Sequence, residues 1–309
     1  MKALIAPLNW GLGHATRCIP LIRKYLKEGH EVVIAADGAP AYLLNREFPE
    51  IRMLDSPSYP IRYSSSNSQV GAMLLNLPAI IKGIYNEHQW LNQLLEQEHF
   101  DCIISDNRFG LWNKTVRSVY ISHQLMIRMP VWLRWLEPFA WLMHRSIIHC
   151  YDECLIPDLR EKPNLSGILS HRYPIPRNAR FIGPLSRFEG LTGIEAVETG
   201  TLLMLSGPEP QRSMFEKELL LKMGTFIKPI VMVRGLPDKS EVPAYNNMTI
   251  YNHLNDRELA SYIKGARQLI CRSGYSTIMD LEALGCLQKA HFIPTPGQTE
   301  QEYLAEYHT

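Results

Sequence analysis

Short apolar runs alternate with stretches of helical spacing from the first residue onward. Met1–Pro7 predicts a buried strand, and Leu8 to Arg17 a glycine-bearing turn. Cys18–Glu28 predicts a helix, with Ile19, Leu21, Ile22, Tyr25 and Leu26 on one face, stopped by Gly29-His30. Glu31–Ala36 is the next strand, so the chain opens with a βαβ unit and a parallel sheet. Asp55 to Val70 predicts a loop rich in Ser, Pro and Tyr, and Leu74–Gln97 an amphipathic helix. Asp101–Asp106, Ser118–Ser122 and His149–Pro157 predict further strands, and Leu165–Arg180 an irregular stretch. Phe181–Leu185 closes this half with a short strand and a Gly-Pro pair, and Gly190–Gly200 predicts a connection. The second half repeats the alternation. Strands are expected at Thr201–Ser206, Pro229–Val233, Thr249–Leu254 (an edge), Gln268–Cys271 and Ala290–Pro294; helices at Ser213–Met223, Asp256–Ile263 and Ser276–Leu284. The pattern predicts two α/β domains, 1–188 and 189–309.

Leu125–Ile148 is the most apolar segment, carrying Trp132, Trp135, Phe139, Trp141 and Met143. Arg134, Glu137, Pro138 and Arg145 interrupt it, so it does not read as a membrane span. One or two helices packed on the sheet are expected. The other reading is a peripheral membrane contact, aromatic rings down and Arg128, Arg134 and Arg145 toward lipid phosphates.

The 309 residues suffice for about two cores, and 46% hydrophobic with 20% charged residues is ordinary for a globular chain. A formal net charge of +1 offers no general attraction to nucleic acid, and no nucleic-acid partner is expected. Cys18, Cys102, Cys150, Cys154, Cys271 and Cys286 form no CxxC pair and read as buried thiols of a reducing compartment. Cys150 and Cys154 share a metal only if other ligands join them. The first residues lack the apolar core of a signal peptide, so the expected location is cytoplasmic.

Two stretches carry phosphate and sugar chemistry. Strand, Ser273-Gly274 turn and helix present free backbone N–H groups at a helix N-terminus, a seat for a phosphate. Asp280, about one turn on, is within reach of a ribose beside it; the plainer reading is a capped helix start. Past the next strand, Thr295–Glu302 gathers hydroxyl-reading side chains. In the other half, Gly11-Leu12-Gly13-His14-Ala15-Thr16-Arg17 is glycine-rich but does not complete GxGxxG, which disfavours a dinucleotide-binding dehydrogenase. It carries His14 at the sheet's carboxyl edge, as a cap or as a cleft residue. Asp106 ends a strand at that edge, either facing a ligand or capping the turn after it, and His123 follows the next strand. Arg212 opens the helix after the Thr201–Ser206 strand, where it is placed to face a diphosphate.

These stretches resemble the glycosyltransferases of family 28, the group that includes the enzyme adding N-acetylglucosamine to the lipid-linked peptidoglycan precursor. The likeness covers most of the second half; in the first it rests mainly on Gly11–Arg17. It implies a GT-B fold, two Rossmann-like domains facing each other across a cleft. It also implies a nucleotide-sugar donor, UDP-linked, held by Ser273, Gly274 and Arg212, with Asp280 on the ribose where that enzyme usually has Glu. Gln298, Gln301 and Glu302 would read the sugar. His253 lies where the family's edge strand reads uracil through its backbone, matched by position only. Gly11, Gly13 and His123 fall on the acceptor side, and His14 in the cleft. Enzymes of this fold usually finish on a helix that crosses back to the first domain; Tyr307-His308-Thr309 falls inside the helix after the sugar-reading loop, so that crossing helix is expected to be absent.

The expected activity is inverting glycosyl transfer to a hydroxyl acceptor, lipid- or cell-envelope-linked, at the inner membrane surface if the aromatic segment docks there. Such a reaction needs a base for the acceptor and a neutraliser for the leaving diphosphate. His14 is the first candidate base because imidazole titrates near neutral pH, and Asp106 the second. With no Asp-x-Asp pair in the sequence, no metal and no cofactor are expected. A nucleotide-sugar 2-epimerase and a non-catalytic sugar-nucleotide-binding protein are the alternatives.

Overall fold

The computed structural model describes residues 1–57, 69–245 and 247–309, and of 69–75 the backbone only. The first half runs β1 (Lys2–Pro7), α1 (Gly13–Lys27), β2 (Glu31–Ala36), α2 (Gly38–Glu47), β3 (Met53–Asp55), α3 (Gln69–Gln97), β4 (Cys102–Asp106) and β5 (Arg117–Ile121). A 3₁₀ turn at Val131–Leu136 then leads into α4 (Glu137–Ile148), β6 (Glu153–Ile156), α5 (Ile168–His171) and β7 (Ala179–Phe181). The second half runs β8 (Thr199–Met204), α6 (Gln211–Leu221), β9 (Ile230–Val233), β10 (Met248–Tyr251) and α7 (Asp256–Gly265). It ends with β11 (Ala266–Cys271), α8 (Tyr275–Ala283), β12 (Ala290–Phe292) and α9 (Thr299–Tyr307).

Two parallel sheets result, ordered β3-β2-β1-β4-β5-β6-β7 and β10-β9-β8-β11-β12. Their strands are near-continuous apolar runs because helices cover both faces. In each sheet the order reverses once, between β1 and β4 and between β8 and β11. Loops leaving neighbouring strands part company there and open a crevice at the carboxyl edge.

The two crevices face each other. Gly11, at φ +84°, lies against Gly207, and a Cβ on Gly13 would run into the Ser276 hydroxyl. The left-handed φ favours glycine at 11, and the nearness of Ser276 favours it at 13. Helices α1 and α8 pack together, so Tyr275, Ile278 and Met279 share one core with Ile5, Ile19 and Ile104. The connection through 182–198 is tied down from both sides. Arg23 of α1 donates to the Arg187 carbonyl at 2.8 Å and to Asp256 at 2.8 Å.

Helix α9 lies on the first domain. The Tyr303 hydroxyl accepts from the Ile168 N–H at 2.9 Å, Tyr307 donates to Asn164 at 3.0 Å, and Leu304 is buried in the shared core.

Several local expectations change. α1 starts at Gly13 instead of Cys18, because Leu12 is already in the right-handed helical region and its carbonyl accepts from the Thr16 N–H at 2.9 Å. His14 therefore sits in a helix's first turn. Segment 125–148 packs on β5 and β6 as expected, Leu125 and Ile148 sharing a core with Tyr120 and Cys154, but through one face only. Glu137, Ala140, His144 and Ile148 are buried, whereas Val131, Trp132, Trp135, Phe139 and Met143 are exposed. The strand expected from His149 begins only at Glu153, and Leu165–Arg180 contains α5 and the start of β7. Cys150 is exposed, against the expectation that all six thiols are buried. Most of the loop expected at Asp55–Val70 lies outside the described residues.

Candidate active site between the two sheets

Register places the first-domain side chains together. Pro7 at the end of β1 pairs with Asp106 at the end of β4, and Asp106 with Ile121 at the end of β5. His14, Asp106 and His123 follow from three neighbouring strands, and the fold brings all three into one cluster. His14 Nδ1 lies 2.9 Å from Asp106 Oδ1. Asp106 is fully buried. Burial alone would raise its pKa, but Arg17 and His14 outweigh it and hold the carboxyl well below the usual carboxylate range.

Arg17 grips that carboxylate with two nitrogens, Nε at 2.5 Å from Oδ2 and Nη2 against Oδ1. Its Nη1 reaches His123 Nδ1 at 3.0 Å. A carboxylate takes only donors, so the His14 nitrogen facing it carries the proton, and the lone pair is left on Nε2. The approach of Arg17 Nη2 to the same His14 nitrogen, at 3.0 Å, is then a contact without a hydrogen bond. Burial lowers the His14 pKa, with Asp106 opposing and Arg17 adding to the fall, so the imidazole is neutral at pH 7. An unprotonated Nε2 backed by a buried carboxylate is equipped to take a proton from a hydroxyl.

Two groups here were not assigned a role from the sequence. Arg17 was visible as the end of the glycine-rich stretch, but only a helix starting at Gly13 puts it on the same face as His14. Glu300 stood in the polar loop. As the second residue of α9 it meets His123, Oε1 to Nε2 at 2.8 Å.

The second-domain residues arrange themselves differently. Gly274 caps α8 with no side-chain hydrogen bond, leaving the Tyr275–Thr277 turn beside Gly13. Ser273 is buried and donates to the Gln301 carbonyl at 2.6 Å. Both oxygens of Asp280 hold the connection, accepting from the Ser186 hydroxyl at 2.7 Å and Arg187 Nε at 3.2 Å. Burial raises the Asp280 pKa, with Arg187 and Ser186 opposing. Arg212 is turned inward, to Glu209 at 2.6 Å and Glu216 at 2.6 Å. Gln301 bridges the Thr295 N–H at 2.9 Å and Gln298 at 2.5 Å, and Glu302 accepts from the Gly297 N–H at 2.9 Å. His253 stands after β10, its pKa pushed down to about 4 by burial, with Arg187 and Arg46 adding. Cys154 is buried, while Cys150 is exposed and its thiol points to the Ser146 carbonyl at 3.6 Å. Among the described residues no three His, Cys, Asp or Glu side chains form a metal site, and no helix is long and apolar enough to cross a membrane.

No protein-family model matches the chain. It is 23% identical to an uncharacterized glycosyltransferase of Methanosarcina acetivorans, over 98% of this chain and 82% of the relative. An uncharacterized glycosyltransferase of Methanosarcina mazei is 24% identical, again over 98% and 82%. Among solved structures, the spinosyn rhamnosyltransferase SpnG, complexed with thymidine diphosphate, superposes with a TM-score of 0.61 at 14% identity, covering 100% of this chain and 84% of that one. The kitacinnamycin glycosyltransferase gives 0.57 at 15%, over 100% and 90%. A UDP-N-acetylglucosamine 2-epimerase described as putative, from Listeria monocytogenes, gives 0.54 at 13%, over 98% and 86%. The chain has the GT-B fold, and the two curated relatives it resembles over 98% of its length are both named as glycosyltransferases.

Proposed function

We propose that the protein is an inverting glycosyltransferase that moves a sugar from a nucleotide-sugar, UDP-linked, to a hydroxyl acceptor without a divalent cation. The observation that carries this reading is the His14–Asp106 pair, 2.9 Å apart, at the first domain's crevice opposite the start of α8. His14 Nε2 takes the acceptor proton while the oxygen attacks the anomeric carbon from the face opposite the leaving group. Asp106 stabilises the imidazolium that forms, and its buried charge never leaves the site. On the far side the diphosphate departs toward Ser273–Gly274 and the first N–H groups of α8, whose positive end favours the growing charge.

In this reading the ribose lies at Asp280, and Gln298, Gln301 and Glu302 face the sugar. Arg212, once freed from Glu209 and Glu216, completes the donor side with His253. Gly11, Gly13 and His123 border the acceptor. Residues of the family 28 pattern, Ser273-Gly274 and the Gln-rich loop, favour UDP and a lipid- or envelope-linked acceptor. Exposed Trp132, Trp135 and Phe139, with Arg134 and Arg145 between and beside them, are the face for a peripheral contact with the inner membrane surface of a cytoplasmic enzyme.

A panel of nucleotide-sugars read by thermal shift identifies the donor, since a bound ligand raises stability by mass action. Transfer to a hydroxyl acceptor then tests the activity itself. The likeness to a 2-epimerase gives the second reading. It expects acceptor-free conversion of UDP-N-acetylglucosamine, which a transferase does not perform.

A further inference from the structure

Arg17, which fixes the first domain's carboxylate, meets His123, and His123 is itself held from the second domain. His123 is gripped on an edge and on a face. Its Nε2 meets Glu300 of α9 at 2.8 Å, and its ring stacks on Tyr275 of α8, centroids 4.0 Å apart and planes within 3°. Tyr275 is in turn fixed by donating to the Pro157 carbonyl at 2.8 Å. On the other edge, His123 Nδ1 meets Arg17 Nη1 at 3.0 Å. Arginine has no acceptor, so this nitrogen of His123 accepts and the proton sits on Nε2, where it is donated to Glu300. One tautomer therefore satisfies both bonds: Arg17 donates to His123 on one side and to Asp106 on the other, and Asp106 accepts from His14 as well.

We propose that Glu300 is a positioning residue of the first domain's base: through His123 it sets Arg17, and with it Asp106 and His14, so the base is correctly held only when the second domain is in place. The inference rests on the reading of His14 as that base. Arg17 from α1 and Asp106 from β4 touch His14, His123 after β5 and Glu300 from α9 act on it through charge, and Cys18 and Tyr275 stand behind them, against Asp106 and His123. Among them Asp106 and Glu300 are the anions and Arg17 the cation. Glu300 thus offsets the charge that Arg17 turns toward His14. Removing it makes the imidazolium harder to form, which lowers the His14 pKa further.

Protein labelled with ¹⁵N in its histidines, titrated by NMR, tests this without a substrate; a His14→Gln variant assigns the signal. Glu300→Gln keeps an acceptor for His123 Nε2–H and removes only charge. It is expected to leave the His123 tautomer intact and to lower the His14 midpoint by roughly half a pH unit, the worth of one partly screened charge. Glu300→Ala is expected to release the single tautomer of His123 and to weaken the Nδ1–H preference of His14. An unchanged His14 midpoint in Glu300→Gln overturns the proposal, whether or not the alanine variant keeps α9 docked. Once a donor–acceptor pair is in hand, Glu300→Ala should lower kcat about tenfold or more with donor KM little changed, and Glu300→Gln should restore most of it. A raised donor KM with kcat kept makes Glu300 a sugar contact and overturns the proposal too. Failure of the base reading shows separately, as normal turnover in a His14→Ala variant whose NMR coupling between Glu300 and His123 is intact.

Discussion

His14 Nδ1 and Asp106 Oδ1 lie 2.9 Å apart although 92 positions separate them in the sequence. The separation is closed by the pairing of β1 with β4, which puts the loop after one strand beside the end of the other. Because Asp106 is buried and also gripped by Arg17, it anchors two cationic or potentially cationic groups at once.

Asp106→Asn tests that double duty. An amide keeps the shape but leaves Arg17 buried without its counter-charge, which costs about 3–5 kcal/mol. The variant is expected to unfold at markedly lower denaturant and to turn over far more slowly. Chemical denaturation alongside an activity assay checks both.

Asp280 is claimed by two partners, the connection in this structure and a ribose in the proposed complex. If the ribose displaces Arg187, Asp280→Ala should weaken UDP binding by roughly the 1.5–3 kcal/mol of a charged hydrogen bond. Arg187→Ala should then bind UDP as well as wild type or better. Calorimetry with UDP measures both, and equal affinity for wild type and Asp280→Ala removes the carboxylate from the ribose.

Transfer should continue in excess chelator. The sequence lacks an Asp-x-Asp pair, and helix-end N–H groups at α8 can carry the leaving charge. Activity that disappears with chelator and returns with magnesium or manganese would show that a metal does this work.

His144 gives the fold a pH dependence of its own. It is enclosed between Phe109, Tyr120 and the Leu125 carbonyl, and burial pushes its pKa down to about 4. Its unfolded value is near 6.5, so the unfolded chain binds the proton more readily. The contribution is fully present above pH 6.5 and is lost as pH falls toward 4. From pH 7 to pH 5 it should cost roughly 1–2 kcal/mol. Urea midpoints at the two pH values check this, and His144→Gln should flatten the difference.

Much of the fold was legible because each βαβ unit carries its own periodicity, and parallel strands must deliver their loops to one edge. That is why His14, Asp106 and His123 could be placed together from three strand ends. Arg17 could not be assigned, since the helix was expected to start at Cys18 and its phase with His14 depends on a start at Gly13. Glu300 was hidden for a similar reason. A helix beginning at Thr299 turns Gln298, Gln301 and Glu302 onto their own loop and leaves Glu300 toward the first domain. Arg212 was expected to face a phosphate, yet Glu209 and Glu216 stand at helical spacing on either side of it. Their pull was readable in the sequence. The partners of Asp280 were not, because Ser186 and Arg187 lie 94 and 93 positions away.

The central claim is that His14 is the base of glycosyl transfer, and turnover of His14→Ala tests it most directly, with donor affinity measured on the same protein. The account predicts turnover lowered about 10²–10⁴-fold with donor affinity nearly unchanged, and loss of the acidic limb of the pH–rate profile that the lowered His14 pKa sets below 6.5. Near-normal turnover in this variant, with Asp106→Ala inactive, would contradict it and move the base to the carboxylate.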